Sequence, residues 1–139
     1  MQEQREEILR YLPHRPPFVM IDEIALVDEQ TVRSGFTILP DNVLVEDGYF
    51  TEAGLIENLA QTAGAGTGFR SYEEGKSPTL GYIGALKDLR IFALPQVGQT
   101  LETEIIFVHQ VMQALIVKGS IQSEGKVLIT CELKIFLKA

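Results

Sequence analysis

The sequence is poor in the residue types that carry several common chemistries. Its 139 residues include one cysteine, two histidines and no tryptophan. A single cysteine cannot form an internal disulfide, which predicts a reducing compartment. Two histidines and one cysteine without close spacing exclude a typical zinc site, so we expect no metal and no cofactor. The shortage of histidine also leaves few candidates for proton transfer near neutral pH.

Positive charge and long apolar runs are scarce as well. The chain has 12 basic and 19 acidic residues, a formal charge of −7, whereas nucleic-acid binding requires a basic surface. The longest apolar runs have the length of strands, well below the roughly 20 residues that span a bilayer. The polar, acidic start does not resemble a signal peptide. We therefore expect a cytoplasmic protein with no nucleic-acid or membrane partner, folded as one domain over residues 1–139.

The hydrophobic pattern predicts two helices and six strands. Helices are predicted at residues 2–12 and 52–72, and strands at 19–27, 31–39, 79–92, 100–108, 113–121 and 126–137. Ser123-Glu124-Gly125 is typical of a hairpin turn. The last strand alternates, with residues 127, 129, 131, 133, 135 and 137 on one apolar face. This order of elements predicts an α+β fold that ends in an antiparallel meander.

The second predicted helix is rich in alanine and glycine. Thr51 is a suitable N-cap residue, and Glu52 places a negative charge in the first turn. Glycine inside a helix costs about 1 kcal/mol relative to alanine, yet Gly64, Gly66 and Gly68 all lie within it. Their presence predicts that other elements pack closely around most of the helix, as a curved sheet would.

The same helix contains a carboxylate among small and apolar neighbours. Glu57 and Gln61 are four residues apart and therefore share a face. A carboxylate that is removed from water and unpaired is suited to act as an acid or a base. The structural alternative is that Glu57 reaches solvent or caps a neighbouring backbone group.

The remaining candidates are the two histidines and the cysteine. His14 lies in a loop stiffened by prolines, where it could equally serve structure by bonding to the backbone. His109 ends a predicted strand, which favours a surface role. Cys131 lies on the apolar face of the last strand without a basic neighbour there, which favours a core position.

Two segments together are similar to those of a known enzyme family. Residues 12–22, LPHRPPFVMID, resemble the "LPHRxPFLLVD" opening of hot-dog-fold 3-hydroxyacyl-acyl-carrier-protein dehydratases, and residues 56–61, IENLAQ, resemble their "xEAMAQ" helix motif. Residues 81–90 and 97–99 resemble the family's central strand and its "PGD" turn. The resemblance covers nearly the whole chain. It implies a hot-dog fold, with a long central helix wrapped by a curved antiparallel sheet, and dimers whose active sites lie between subunits.

One family motif is missing. The dehydratases carry a catalytic histidine in a "GHFPGxPVMPG" loop before the helix, whereas residues 45–54 read VEDGYFTEAG here. Because it lacks this histidine loop, the chain most resembles the divergent dehydratase-like subunits of aryl-polyene and flexirubin-type pathways. The resemblance therefore implies a place in fatty-acid or polyene-type biosynthesis.

The family reaction removes the α-proton of a 3-hydroxyacyl thioester and protonates the departing hydroxyl, giving a 2-enoyl thioester. By resemblance, Glu57 is the catalytic acid or base, His14 is the candidate for its missing partner, and Gln61 orients Glu57. The backbone N–H groups of Gly54 and Leu55, at the start of the helix, are expected to hold the enolate oxygen.

Two other functions stay open from the sequence: a non-catalytic partner subunit of a heteromeric dehydratase, and a hot-dog acyl thioesterase. The expected substrate is an acyl thioester of acyl carrier protein or of coenzyme A. The chain is expected to form a homodimer or a heterodimer with a related subunit. Docking an acidic carrier protein requires a local basic patch, for which the candidates are Arg15, Arg70, Lys76, Lys87 and Arg90.

Overall fold

The structure is a computed structural model that describes residues 2–77 and 81–138. Its elements are α1 (Gln2–Ile8), β1 (Glu23–Val27), β2 (Thr31–Thr37), β3 (Val45–Glu46), β4 (Tyr49–Phe50), α2 (Glu52–Glu73), β5 (Gly81–Ile91), β6 (Thr100–Val111), β7 (Ala114–Ser123) and β8 (Lys126–Leu137). The predicted α+β class is confirmed. Neither helix in these ranges has the length and apolar character needed to cross a membrane.

Six strands form one antiparallel sheet in the order β1-β2-β6-β7-β8-β5. The meander predicted for the last four strands is confirmed for β6, β7 and β8, whereas β5 pairs with β8 at the edge of the sheet and not with β6. Irregular register between β1 and β2, β5 and β8, β6 and β7, and β7 and β8 increases the twist and bends the sheet. Helix α2 contacts all six of these strands, which is the expected hot-dog arrangement.

The main core lies between the sheet and α2. Leu55 and Leu59 of the helix are fully buried against the sheet residues Val32, Ile105 and Leu133. Burying one such side chain contributes about 1.5–3 kcal/mol to folding. A second, smaller core joins α1 and the loop after it to α2 and contains Ile8, Tyr11, Leu12, Ile21 and Ala65.

Close packing explains two of the helix glycines. A Cβ atom on Gly66 would overlap Cγ2 of Val32, and one on Gly68 would overlap the backbone oxygen of Tyr11. At the start of α2, Thr51 is the N-cap, as predicted, and its Oγ1 accepts a hydrogen bond from the N–H of Gly54 at 3.3 Å. The predicted tight surroundings of the helix are therefore confirmed.

Both elements at the N-terminal end are shorter than the sequence predicts. Helix α1 ends at Ile8 instead of residue 12, because the N–H groups of residues 9–11 bond three residues back in tighter turns. Strand β1 begins at Glu23 instead of residue 19, because the backbone of Met20 is bonded by side chains of α2 and not by a strand.

Other differences are local. The short β3–β4 hairpin was not predicted, although its turn residues Asp47 and Gly48 have the positive φ values, 54° and 81°, that an Asp-Gly turn favours. Val127 was expected on the buried face but is 47% exposed, because Leu128 bulges where Ile121 pairs with Ile129. Residues 79 and 80 of the predicted 79–92 strand lie outside the described residues.

Candidate active site

A cavity of about 250 Å³ lies beside α2. Its walls come from α2, from the loop that follows α1, and from β5, β7 and β8, and most of them are apolar. Glu57, Gln61 and His14 supply charged and polar groups to this lining. A small, mainly apolar cavity with a few convergent polar groups is the usual form of a small-molecule site.

His14 and Glu57 meet in this cavity. Nε2 of His14 lies 3.6 Å from Oε1 of Glu57, and their side chains are 27% and 39% exposed. Nδ1 of His14 is buried and has no hydrogen-bond partner among the described residues. The sequence predicts either an unpaired carboxylate withdrawn from water or, as the structural alternative, a Glu57 that reaches solvent. Within one protomer Glu57 is paired and still open to solvent.

The backbone of the loop that carries His14 is fixed from one side by Arg15. Nη1 of Arg15 donates hydrogen bonds to the carbonyl oxygens of Leu12 at 2.8 Å and of His14 at 2.7 Å. It also lies 3.3 Å from the carbonyl oxygen of Leu9. Pro13, Pro16 and Pro17 further restrict this loop. Arg15 therefore joins the imidazole-bearing loop to the end of α1.

Gln61 fixes the same loop from the other side. Its Oε1 accepts a hydrogen bond from the N–H of Met20 at 2.7 Å. Its Nε2 donates to the carbonyl oxygen of Phe18 at 2.9 Å and to Oε1 of Glu57 at 3.0 Å. Because the side chain is only 1% exposed and uses both donors and its acceptor, Gln61 ties Glu57 to the loop through one rigid amide.

Asn58 continues this arrangement and was not predicted from the sequence. Its Nδ2 donates to the carbonyl oxygen of Met20 at 2.7 Å, and its Oδ1 accepts a hydrogen bond from Oγ1 of Thr103 at 2.6 Å. Thus two amide side chains of α2, those of Asn58 and Gln61, bind both polar backbone groups of Met20. The available signal was a polar residue between the apolar residues Ile56 and Leu59, next to Glu57.

Two expected site residues are not brought to the cavity. The N–H of Gly54 bonds to Oγ1 of Thr51, and the N–H of Leu55 bonds to the carbonyl oxygen of Thr51 at 3.0 Å. Leu55 is fully buried, and a Cβ on Gly54 would lie 2.6 Å from the ring of Phe50. Both amides therefore serve the start of the helix, and neither residue lines the cavity.

The other candidates also lie elsewhere. His109 is exposed on β6, outside the cavity lining, and Cys131 is buried in the core, as predicted. Burial raises the pKa of the Cys131 thiol above its ordinary value, which makes it a poor nucleophile. Arg70, a candidate for carrier docking, donates to the carbonyl oxygens of Asp28 and Glu29 and holds the turn between β1 and β2.

Sequence comparison assigns the family. A model of the ApeP-like family, described as ApeP dehydratase, matches residues 6–139. The chain belongs to the ApeP-like family. This confirms the resemblance to hot-dog dehydratases that the two motifs indicate.

The ApeP-like chain also matches curated dehydratases. It is 36% identical over 90 residues to the 3-hydroxyacyl-acyl-carrier-protein dehydratase FabZ of Rhizobium etli, which covers 60% of this chain and 56% of the relative. It thus spans little more than half the length of the curated relatives it matches.

Two solved structures have a similar fold. The dehydratase heterocomplex ApeI:P from Xenorhabdus doucetiae aligns with a TM-score of 0.86 and 25% identity, over 95% of this chain and 91% of that chain. A hypothetical thioesterase with coenzyme A from Streptococcus pneumoniae aligns with a TM-score of 0.66 and 14% identity, over 84% and 85% of the two chains. The second match shows likeness of fold alone.

Proposed function

We propose that this ApeP-like chain dehydrates 3-hydroxyacyl thioesters, carried by acyl carrier protein, to 2-enoyl thioesters in fatty-acid or polyene-type biosynthesis. The observation that carries the proposal is the pair formed by His14 and Glu57, 3.6 Å apart, in an apolar cavity. Elimination of water requires a base and an acid acting on one substrate, and this pair supplies both. The family match and the FabZ relatives support the same class of reaction.

In the proposed reaction His14 acts as the base and Glu57 as the acid. The imidazole accepts the proton from C2 of the substrate, and the carboxyl group gives its proton to the hydroxyl on C3. The electron pair of the C2–H bond forms the C2–C3 double bond, the C3–O bond breaks, and water leaves. The imidazole is then protonated and the carboxylate ionised. The proton on His14 then returns to Glu57 before the next turnover, and because both side chains are partly exposed to solvent a water molecule can carry it.

Gln61 acts as a positioning residue in this scheme. Its Nε2 donates to Oε1 of Glu57, which holds the carboxyl group in one orientation on the cavity wall. Oε2 of Glu57 makes no hydrogen bond to any of the described residues, so it is the oxygen available to carry the transferred proton. Gln61 also fixes the Phe18–Met20 segment, and thereby limits how far the His14 loop can move.

The working unit that we propose contains a second hot-dog subunit. Strand β5 is an edge strand that pairs only with β8 within the described sheet, and Leu86, Leu89 and Ile91 on it are exposed. A long, apolar edge strand is a surface on which another chain pairs. The ApeI:P structure is described as a heterocomplex, which supports a heterodimer over a homodimer. We place this unit in the cytoplasm, consistent with one cysteine that is buried.

A second candidate function is a non-catalytic subunit that supports an active partner. The absence of a histidine from residues 45–54 and the heterocomplex described for ApeI:P favour it. In that case the His14–Glu57 pair would only join the loop to α2.

The experiment uses the purified chain with 3-hydroxyacyl thioesters of acyl carrier protein and of coenzyme A, alone and with a related dehydratase subunit. Absorbance of the conjugated 2-enoyl thioester reports dehydration, and a thiol reagent reports thioester hydrolysis. Dehydration that is lost in Glu57→Gln, whether the chain acts alone or with the second subunit, supports the proposal. Dehydration that needs the second subunit and is unchanged by Glu57→Gln supports the non-catalytic role. Thiol release without dehydration would contradict both the dehydratase and the non-catalytic role, and would indicate thioesterase activity.

A further inference from the structure

Three glycines of α2 have very different surroundings. At Gly66 and Gly68 an added Cβ would overlap Val32 and the backbone of Tyr11, so packing requires glycine at both positions. At Gly64 an added Cβ would meet nothing within 4 Å. Glycine in a helix interior is less stable than alanine. Gly64 therefore makes the helix less stable than alanine would, and no packing contact with the described residues requires glycine there.

The space beside Gly64 belongs to the same cavity as Glu57. Both residues line it, together with Ala60 and Thr67, which lie on the same face of α2. Gly64 lies seven positions after Glu57 in the helix, which is a rise of about 10 Å. The wall opposite the helix is built from the apolar residues of β5, β7 and β8, such as Ile83, Leu115 and Ile135.

From this arrangement we propose that Gly64 sets the length of the acyl chain that the cavity accepts. This inference rests on the proposed function and specifies its substrate class. The thioester end of the substrate lies at His14 and Glu57, and its unbranched acyl tail runs along α2 past Ala60 to Gly64. The missing side chain leaves room for the tail, and the apolar walls favour its transfer from water.

The specificity follows from the size of residue 64. A methyl group in Gly64→Ala narrows the passage, and the side chain in Gly64→Leu closes it. Neither change reaches the ends of Glu57 and His14, so short substrates keep their binding mode. An apolar pocket discriminates by about tenfold or more for each methylene that no longer fits. The substitutions should therefore affect long tails selectively.

The test measures binding of saturated butyryl, octanoyl and dodecanoyl thioesters of pantetheine to the full chain by calorimetry, with the matching 3-hydroxyacyl thioesters used for turnover. Gly64→Ala and Gly64→Leu are compared with Glu73→Leu, which adds the same side chain at an exposed position of α2 outside the cavity. Size-exclusion chromatography of each variant records its oligomeric state.

We expect Gly64→Leu to weaken dodecanoyl binding about tenfold or more while butyryl binding stays within about twofold, and Gly64→Ala to lie between Gly64→Leu and the parent chain. Glu73→Leu should leave the chain-length profile unchanged. A profile that does not change in Gly64→Leu overturns the inference even where dehydration is observed. A changed binding profile without turnover, both by the chain alone and with a related dehydratase subunit, supports the inference and contradicts the proposed function. Loss of the oligomer in Gly64→Leu would show that a second chain covers Gly64, and would also overturn the inference.

Discussion

Nε2 of His14 faces Oε1 of Glu57 at 3.6 Å, although one residue lies in the loop after α1 and the other on the central helix. The hot-dog dehydratase resemblance implies active sites shared between subunits, yet here both titratable groups belong to one chain. The pair exists because Arg15 and Gln61 fix the loop from opposite sides. The missing loop histidine is therefore compensated, in our account, by a histidine from a different loop.

Removing the amide of Gln61 should weaken both the fold and the site. In Gln61→Ala the N–H of Met20 loses its partner at a buried position, and the carbonyl of Phe18 loses its partner at a partly buried one. Each such loss costs about 1–3 kcal/mol. We expect the free energy of unfolding in urea to fall by about that amount or more, with a drop in kcat. Gln61→Glu keeps the acceptor for Met20 but has no donor for Phe18 or Glu57. An unfolding free energy within about 0.5 kcal/mol of the parent in both variants would contradict this role.

Asn58 and Thr103 should behave as one unit. Thr103→Val removes the hydrogen bond to Oδ1 of Asn58 and leaves that atom buried and unpaired, at a cost of about 1–3 kcal/mol. Asn58→Ala removes the same bond together with the one to Met20. In a double-mutant cycle measured by urea unfolding, the combined loss should be smaller than the sum of the two single losses. Additive losses would show that the two side chains act independently.

The helix glycines predict opposite effects of the same substitution. Gly64→Ala should raise the free energy of unfolding by up to about 1 kcal/mol, because alanine favours the helix and its methyl group meets open space. Gly66→Ala and Gly68→Ala should lower it by about 1–3 kcal/mol, because their methyl groups overlap Val32 and the Tyr11 backbone. Thermal unfolding of the three variants measures this. A similar change in melting temperature for all three would contradict the packing described here.

Asp22 should make stability fall as pH rises. Burial raises the pKa of Asp22 above its ordinary value, even though the N–H of Thr37 and the guanidinium of Arg5 oppose this shift. The folded state then holds the proton more tightly than the unfolded state. The stability contributed by Asp22 is present below the ordinary pKa of about 3.9 and is lost as pH rises through the higher folded value.

The variant Asp22→Asn isolates this effect, because its Oδ1 can still accept the bond from Thr37. Unfolding in urea is measured for the parent and for Asp22→Asn at a series of pH values. The difference in unfolding free energy, parent minus variant, should decrease as the pH rises from about 3.9 through the higher pKa of the folded state. A difference that stays constant or increases with pH would rule out the raised pKa.

Local sequence signals predicted the central helix well. The N-cap Thr51 and the spacing of Glu57 and Gln61 gave the start of α2 and the shared face of these two residues. The same cap bears on the role expected for the N–H groups of Gly54 and Leu55, which was to hold the enolate oxygen. The side chain of an N-cap residue accepts a hydrogen bond from the N–H of the third helical residue, so the N–H of Gly54 is already bonded to Thr51.

Contacts between segments that are distant in the sequence could not be predicted from local sequence signals. Asn58 and Gln61 bind the backbone of Met20, and backbone groups leave no pattern in the sequence. The bulge at Leu128 likewise depends on pairing with β7, so alternation alone placed Val127 on the wrong face. That His14 lies near Glu57 was a hypothesis based on the family resemblance. The distance between them depends on how the loop folds, which the sequence pattern does not show. That residues 1–139 form a single domain stays a prediction.

The central claim is that His14 and Glu57 together dehydrate the substrate, and kcat/KM for a 3-hydroxyacyl thioester tests it most directly. The parent chain is compared with Glu57→Gln, His14→Ala and the double variant, with His109→Ala as the control. The account predicts a loss of about 100- to 10,000-fold in each single variant, no further loss in the double variant, and an unchanged control. Activity that persists in both Glu57→Gln and His14→Ala would contradict it.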